Sequence, residues 1–348
     1  MALDYNQNYV QEVDMRAMIT GGTGFIGQQL SRGALQRGWE ITVVTRGPDS
    51  AASQILAGMG VTLVKGDVTD RRSFQEALEG CSPDIYFHLA GWYELGIPRR
   101  AKRRMWTVNV EGLENALSLA AIHGIPKTVY TSTTTALGDT GGELVDETFT
   151  RHSPPLSYYE RTKYEAHTRA LRHQSSGEPL VIACPAQVMG PGDHSPFGYY
   201  SRLFLRGLLP MGWAPEGAFT FGHVNDVAEG LLLAGERGQP GEIYFLAGQV
   251  LTNHEMIQIW SQTTGRRPPS IWLPRSLAMA QAMFTAPLLR ALGHPAFISP
   301  EVVRSSFVSF RYRSDKATDQ LGVSFRSAEQ AWEETLLEEA KRAGVSLD

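Results

Sequence analysis

The chain has 348 residues, 42% of them hydrophobic, with 32 Lys plus Arg against 36 Asp plus Glu for a formal charge of −4. That is enough material for a packed core of about two ordinary domains, without the Gly and Pro surplus of low-complexity chains, and the mild negative charge argues against a nucleic-acid binder. Two cysteines, Cys81 and Cys184, are too few for a disulfide framework and point to a reduced, cytoplasmic setting, and the nine histidines show no metal-ligand spacing.

The first 14 residues are polar and slightly acidic, with no apolar run of a secretory signal, so 1–14 reads as an N-terminal extension and Met15 as a candidate start. Short apolar runs at 17–20, 41–45, 61–65, 85–89, 128–132 and 180–183 read as buried strands. Between them lie helix-like stretches at 25–37, 50–57, 72–78, 102–122 and 158–173. Strands alternating with helices predict right-handed crossovers and an α/β fold with a doubly wound parallel sheet of the Rossmann kind. From Pro185 the pattern loosens into Gly, Pro and aromatic clusters; a helix–strand pair follows at 224–234 and 242–246, and the tail ends in an amphipathic helix at 328–343. The division predicted is a Rossmann domain over 15–184 and 220–250, and a smaller, mainly helical substrate domain over 185–219 and 251–348. The apolar stretch 277–292 is interrupted by Pro287 and Arg290 and is too short for a membrane span.

The first strand runs into TGGTGFIG at 20–27, where Gly21, Gly24 and Gly27 are spaced as a dinucleotide loop. A strand that turns sharply into a helix and brings its backbone against a pyrophosphate needs glycines there, and the helix N-terminus offers free N–H groups to the anion. Phe25 and Ile26 open that helix. At the end of the second strand, sites for NAD carry an acid that holds the ribose hydroxyls; here Thr45 and Arg46 stand in its place. An arginine attracts a 2′-phosphate where a carboxylate would repel it, so the expectation is NADP(H) rather than NAD(H). Asp67 and Val68, after the third strand, are placed for the adenine, although Asp67 could equally cap the next turn.

Tyr159 and Lys163 stand at i and i+4, on one face of a helix. An ammonium beside a phenol lowers its pKa, which would fit Tyr159 to exchange a proton with a carbonyl or carbinol oxygen. A second pair of the same spacing, Tyr312 and Lys316, lies in the tail without hydroxyl partners and reads as structural. The first pair instead follows a hydroxyl cluster at 131–135, at the end of a strand where ligands of open α/β sheets sit.

Taken in order, TGGTGFIG, HLAG at 88–91, NVEG at 109–112, YTSTTT at 130–135, YERTK at 159–163 and GHVNDVAEG at 222–230 resemble the extended short-chain dehydrogenase/reductase family, the NAD-dependent epimerase/dehydratase group, over most of the chain from Arg16. Within it the chain looks most similar to the dihydroflavonol-reductase-like and hydroxysteroid-dehydrogenase-like branch. The resemblance implies that Tyr159 is the general acid/base and that Lys163 tunes it and anchors the ribose. It implies that Thr133 holds the substrate oxygen, with Ser132 the alternative, and that Leu89, Ala90, Gly91 and Pro185 line the cofactor. Asn109 matches the family's structural asparagine. A homodimer through 102–122 and 158–173 is also implied.

The same family contains nucleotide-sugar epimerases and dehydratases that retain their nicotinamide, and these are the alternative. Three departures count against them. Phe219 stands where they commonly carry a diphosphate-binding Arg, Gln187 where Asn is usual, and Thr134 and Thr135 where dehydratases have an Asp-Glu pair. A pyrophosphate without a cation is poorly compensated in a closed cleft. Trp92, Tyr93, Phe197 and Tyr200, with Thr134 and Gln187, are the candidate substrate residues, and their aromatic character suggests an apolar or aromatic carbonyl. The basic run of Arg99, Arg100, Lys102, Arg103 and Arg104 reads as a solvated helix face or an anion site at the pocket mouth. The sequence reading is thus an NADP(H)-dependent oxidoreductase of a small molecule.

Overall fold

The structure, a computed structural model, describes residues 15–347; the expected extension 1–14 lies outside them. Seven strands form one parallel sheet in the order β3-β2-β1-β4-β5-β6-β10: β1 Arg16–Thr20, β2 Glu40–Thr45, β3 Thr62–Lys65, β4 Ile85–His88, β5 Lys127–Thr131, β6 Leu180–Pro185 and β10 Ile243–Leu246. The helices α1 Phe25–Gln36, α2 Ala51–Gly58, α3 Arg71–Glu79, α4 Lys102–Trp106, α5 Gly112–Ile122, α6 Tyr158–Ser175 and α8 Val224–Arg237 cover it. Side chains alternate across a strand, so neighbours in sequence feed different cores. Ile19 and Val43 pack with Leu30 and Ala34 of α1 and Leu231 and Leu232 of α8, while Met18 and Val44 pack with Phe74 of α3 and Leu119 of α5. A strand buried on both faces needs an unbroken apolar run, which is why these strands were visible in the sequence.

The order of the sheet reverses between β1 and β4, and the crevice at that reversal opens at the C-terminal ends of the strands. The expected helix 102–122 is not uniform: α4 and α5 are joined by a wide helical turn over Thr107–Glu111. There Asn109 is drawn inward; its amide accepts from Trp92 N at 2.7 Å and donates to Trp92 O at 3.0 Å and to Thr162 Oγ1 at 2.9 Å. Such inserted turns are a recognised cause of local widening in helices.

The rest of the chain adds two small sheets to the helices of the second region. In one, β9 Ala218–His223 pairs with β7 Gln187–Met189, β11 Gln249–Thr252 and β13 Ser309–Phe310; in the other, β8 Met211–Trp213 pairs with β12 Ile271–Leu273. Around them lie α7 Pro196–Leu205, α9 Asn253–Thr264, α10 Arg275–Ala291, α11 Pro300–Ser306 and α13 Ala328–Ala343. Helix α12 Asp315–Leu321 returns to the large sheet, where Ala317 and Leu321 join the α1/α8 core. Aromatic rings fill the second region: Trp260 meets Trp332 at 5.0 Å and Phe204 at 5.6 Å between centroids.

Candidate active site

The loop from β1 to α1 is shaped by its glycines. Gly21 has φ +77°, and a Cβ there would stand 2.7 Å from the backbone of Leu89 and Ala90; a Cβ on Gly27 would stand 2.3 Å from Gly21 O. Only hydrogen fits at these two places. Gly24 caps α1 with no side chain, so the first N–H groups of that helix remain open to an anion. The cleft they border is lined by Gly21, Gly24, Phe25, Ile26, Gly27, Arg46, Asp67, Val68, Leu89, Ala90, Gly91 and Pro185, every cofactor residue predicted except Lys163. Arg46 is exposed, and among the described residues its guanidinium has no hydrogen-bond or salt-bridge partner. Asp67 accepts from Thr69 N at 2.9 Å and Thr69 Oγ1 at 2.8 Å through one oxygen, so it caps its turn and lines the cleft at once. Thr131 Oγ1, also on the cleft wall, is buried with no partner. The backbone cradle, the open helix terminus and the unpartnered hydroxyl fit a dinucleotide.

A second cavity, of about 1050 Å³ including its open mouth, meets this cleft at Tyr93, Thr135, Tyr159 and Gln187, which border both. Tyr159 sits in the first turn of α6, which Ser157 caps by accepting from Glu160 N at 3.1 Å. Its ring is held edge-on by Tyr93 at 4.7 Å and packs with Ile97 and Met105. Thr133 lies on the cleft side; its Oγ1 accepts from Thr135 N at 3.2 Å, leaving its O–H to be donated. The alternative hydroxyl, Ser132, is tied to His167 Nδ1 at 2.9 Å.

Lys163 does not line either cavity. Its Nζ donates to Tyr130 Oη and to Thr131 O, both at 3.2 Å. The expected lowering of the Tyr159 pKa by Lys163 is not what the structure shows. Burial pushes the Tyr159 phenol up, because the ring is packed away from water. Burial also lowers Lys163 to about 8. Behind it, burial holds His88 at about 3 and His167 at about 4, so both stand neutral, His88 being bonded to Thr20 Oγ1 and Tyr86 Oη at 2.9 Å each.

Of the predicted substrate residues, Tyr93, Thr134, Gln187, Phe197 and Tyr200 line the second cavity. Trp92 does not: its indole donates to Glu94 at 3.2 Å and lies under Arg104, turned to the α4 side by the Asn109 clamp on its backbone. Two features went unnoticed in the sequence. Asp193, buried in the loop after β7, accepts from Ser195 N at 2.7 Å and Ser195 Oγ at 2.5 Å; it lines the cofactor cleft, and burial lifts it to about 6. The Asp-x-Ser spacing after Gly-Pro-Gly was its only signal. Glu160 pairs with Arg151 at 2.5 Å with both side chains buried, and it also accepts from Leu156 N at 2.7 Å, fixing the start of α6 beside Tyr159. Nothing in the spacing of 151 and 160 announces that pair. Tyr312, as expected, is structural; its hydroxyl donates to Gly138 O.

The sequence profile of the NAD dependent epimerase/dehydratase family matches residues 17–247. A Synechocystis protein, whose dihydroflavonol 4-reductase name is itself provisional, is 32% identical over 90% of this chain and 91% of its own length. The 4-hydroxy-2-methyl-3-oxo-4-farnesyl-3,4-dihydroquinoline-1-oxide ketoreductase of Stigmatella aurantiaca is 29% identical over 91% of this chain and 94% of its own. Among solved structures, gox2253 superposes with a TM-score of 0.78 at 30% identity, covering 95% of this chain and 99% of that one.

Proposed function

The chain belongs to the NAD dependent epimerase/dehydratase family of extended short-chain dehydrogenases/reductases, and within it we propose an NADP(H)-dependent reductase of an apolar, ring-containing carbonyl, or a dehydrogenase of its alcohol. When bound, the nicotinamide supplies or takes up a hydride at the reacting carbon. Thr133 and Tyr159 hold the substrate oxygen, and Tyr159, kept protonated by its burial, gives that oxygen its proton. Lys163, one turn further along α6, is fixed by Tyr130 and Thr131. Arg46 pairs with the 2′-phosphate.

One observation carries the choice of substrate. The cavity on the far side of Tyr159 is bordered by Phe197, Tyr200, Trp213, Phe219, Trp272 and Phe310 and, among the described residues, by no Lys, Arg or His. Glu160, the one charged residue lining it among the described residues, is already paired. Phe219 stacks on Phe310 at 5.6 Å and meets Phe197 at 5.1 Å, so the place of a diphosphate-binding cation is filled by rings. The ketoreductase name of the Stigmatella relative is in keeping with this reading. The test is a thermal-shift titration with NADP present. A ligand at 100 times its dissociation constant adds about 2.7 kcal/mol. UDP- and dTDP-sugars at millimolar concentration should give no such rise, and an apolar aryl or cyclic ketone should give one and drive net NADPH oxidation. Stabilisation by a nucleotide sugar, with conversion and no net cofactor change, overturns the reading in favour of an epimerase. The enzyme is further proposed to be cytoplasmic and to work as a homodimer paired through 102–122 (α4 to α5) and α6, which light scattering checks.

A further inference from the structure

We propose that helix α10 docks the protein on the surface of an anionic lipid membrane, lying along it rather than crossing it. The inference goes beyond the reductase reading and does not depend on it. Helix α10 has two apolar faces. Ala278, Ala282 and Ala286, at i, i+4 and i+8, are buried, Ala278 and Ala282 against Trp213, Val302 and Val303. Leu277, Phe284 and Leu288, at i, i+7 and i+11, form a stripe that faces water, and Met283 is exposed further round the helix. Phe284 is 78% exposed. With Ile271 just before the helix and Leu292 just after it, this short stretch holds six of the 13 exposed large hydrophobic side chains among the described residues. Scattered exposed apolar residues need no explanation, but a contiguous stripe does.

The charge around the stripe identifies what covers it. Between Glu255 and Glu301 the sequence has no Asp or Glu, on a chain whose acids outnumber its bases. The same stretch carries Arg266, Arg267, Arg275 and Arg290, none of which is in a salt bridge among the described residues, although Arg266 donates to Ser346 O, Arg290 donates to Gly96 O and Arg275 lies over the Phe307 ring. Glu301 is turned inward, accepting from Gly96 N and Tyr158 N. An exposed apolar stripe on a stretch that carries arginines and no acid matches the lipid–headgroup boundary, where acyl chains take the apolar side chains and phosphates take the guanidinium groups. A symmetric contact between two copies would set this stretch against itself, like charge to like charge. No helix among the described residues is long and apolar enough to cross a membrane, and Pro287 interrupts this one.

The position suits an enzyme with an apolar cavity. Trp213 and Val302, on which the buried face of α10 rests, are themselves cavity-lining residues, so one layer of side chains separates the docked helix from the cavity.

Sedimentation with sucrose-loaded vesicles of phosphatidylcholine and phosphatidylglycerol, about 7:3, tests the proposal without any turnover. The full chain should pellet with these vesicles, more weakly with phosphatidylcholine alone, and less as salt rises. Phe284→Ser alone should weaken binding, and with Leu288→Ser added the partition should fall at least tenfold. Both side chains point to water, so the thermal midpoint should be kept. Ile55→Ser, at an exposed apolar residue elsewhere, should bind as the parent does. No pelleting at millimolar lipid overturns the proposal, and so does equal binding by the double variant. A parent dimer that the double variant turns into a monomer also overturns it and assigns the face to a second copy.

Discussion

The two cavities that meet at Tyr159 are built in opposite ways. The cofactor cleft is made of backbone: a glycine turn, an open helix terminus and the strand ends of one sheet, all within a short span of sequence around each strand. The substrate cavity is made of side chains brought from Tyr93, Phe197, Trp213, Phe219, Trp272 and Phe310, on elements that meet only in the folded chain. A backbone cradle tolerates little change and binds a ligand common to many proteins. A side-chain cavity can be relined without disturbing the sheet, so one fold serves many substrates. Tyr159 belongs to both, which makes it the first place to separate them.

Tyr159→Phe should lower turnover by about 10²–10⁴-fold, the usual worth of a general acid, while NADPH affinity stays near the parent value. Turnover within threefold of the parent removes Tyr159 from the chemistry. Tyr312→Phe, in the structural pair, should leave the chemical step unchanged although it costs stability. Arg151→Met leaves Glu160 buried without its partner; such losses cost about 3–5 kcal/mol. A chemical denaturation series should show it, and Arg151→Met combined with Glu160→Met should recover part of the loss. An unchanged midpoint in the single variant would show that this pair does not hold the start of α6. The third test uses pH. Asp193 is lifted by burial to about 6 in the folded protein, above the ordinary carboxylate range, so the folded state binds the extra proton. Its contribution is present below about pH 4 and is lost as pH rises to about 6, a change of about 3 kcal/mol at 1.36 kcal/mol per pH unit. Asp193→Asn should flatten that part of the stability–pH curve. An identical slope in the variant assigns it to other groups.

The contrast also explains how much could be read without a structure. The parallel sheet was legible because strands such as 41–45 are buried on both faces and carry no polar alternation. Gly21 and Gly27 were legible because a close backbone approach excludes every other residue. The direction of Trp92 was not legible, because the Asn109 clamp that turns it away acts across 17 residues. The burial around Tyr159 was not legible for a similar reason. The i, i+4 spacing brings Lys163 to the same face of α6, but its acceptors, Tyr130 and Thr131, come from β5. Local chemistry follows from sequence distance; which of two neighbours takes a buried ammonium depends on the packing around it. The pairing of β7 and β13 with β9 was equally hidden, since strands of three and two residues leave too little periodicity to detect.

The smallest effect expected lies at the outer edge of the cofactor cleft, where the site changes from backbone to a single side chain. Arg46 stands after β2, exposed, with no partner of its own among the described residues, beside Thr45, Gly47 and Ser50 on the cleft wall. The glycine loop sees only the pyrophosphate, which NADPH and NADH share, so any discrimination between them must come from the ribose end. An arginine there adds a charge-assisted hydrogen bond to the 2′-phosphate, about 1.5–3 kcal/mol, and offers little to a 2′-hydroxyl. Arg46→Ala should therefore weaken NADPH by about 10–100-fold and leave NADH within about threefold, measured by fluorescence titration of each cofactor. Equal losses would mean that Arg46 supports the fold of the β2–α2 loop instead of reading the phosphate. No loss for either would move the source of preference to the neighbouring hydroxyls of Thr45 and Ser50, or show that the enzyme takes NAD(H).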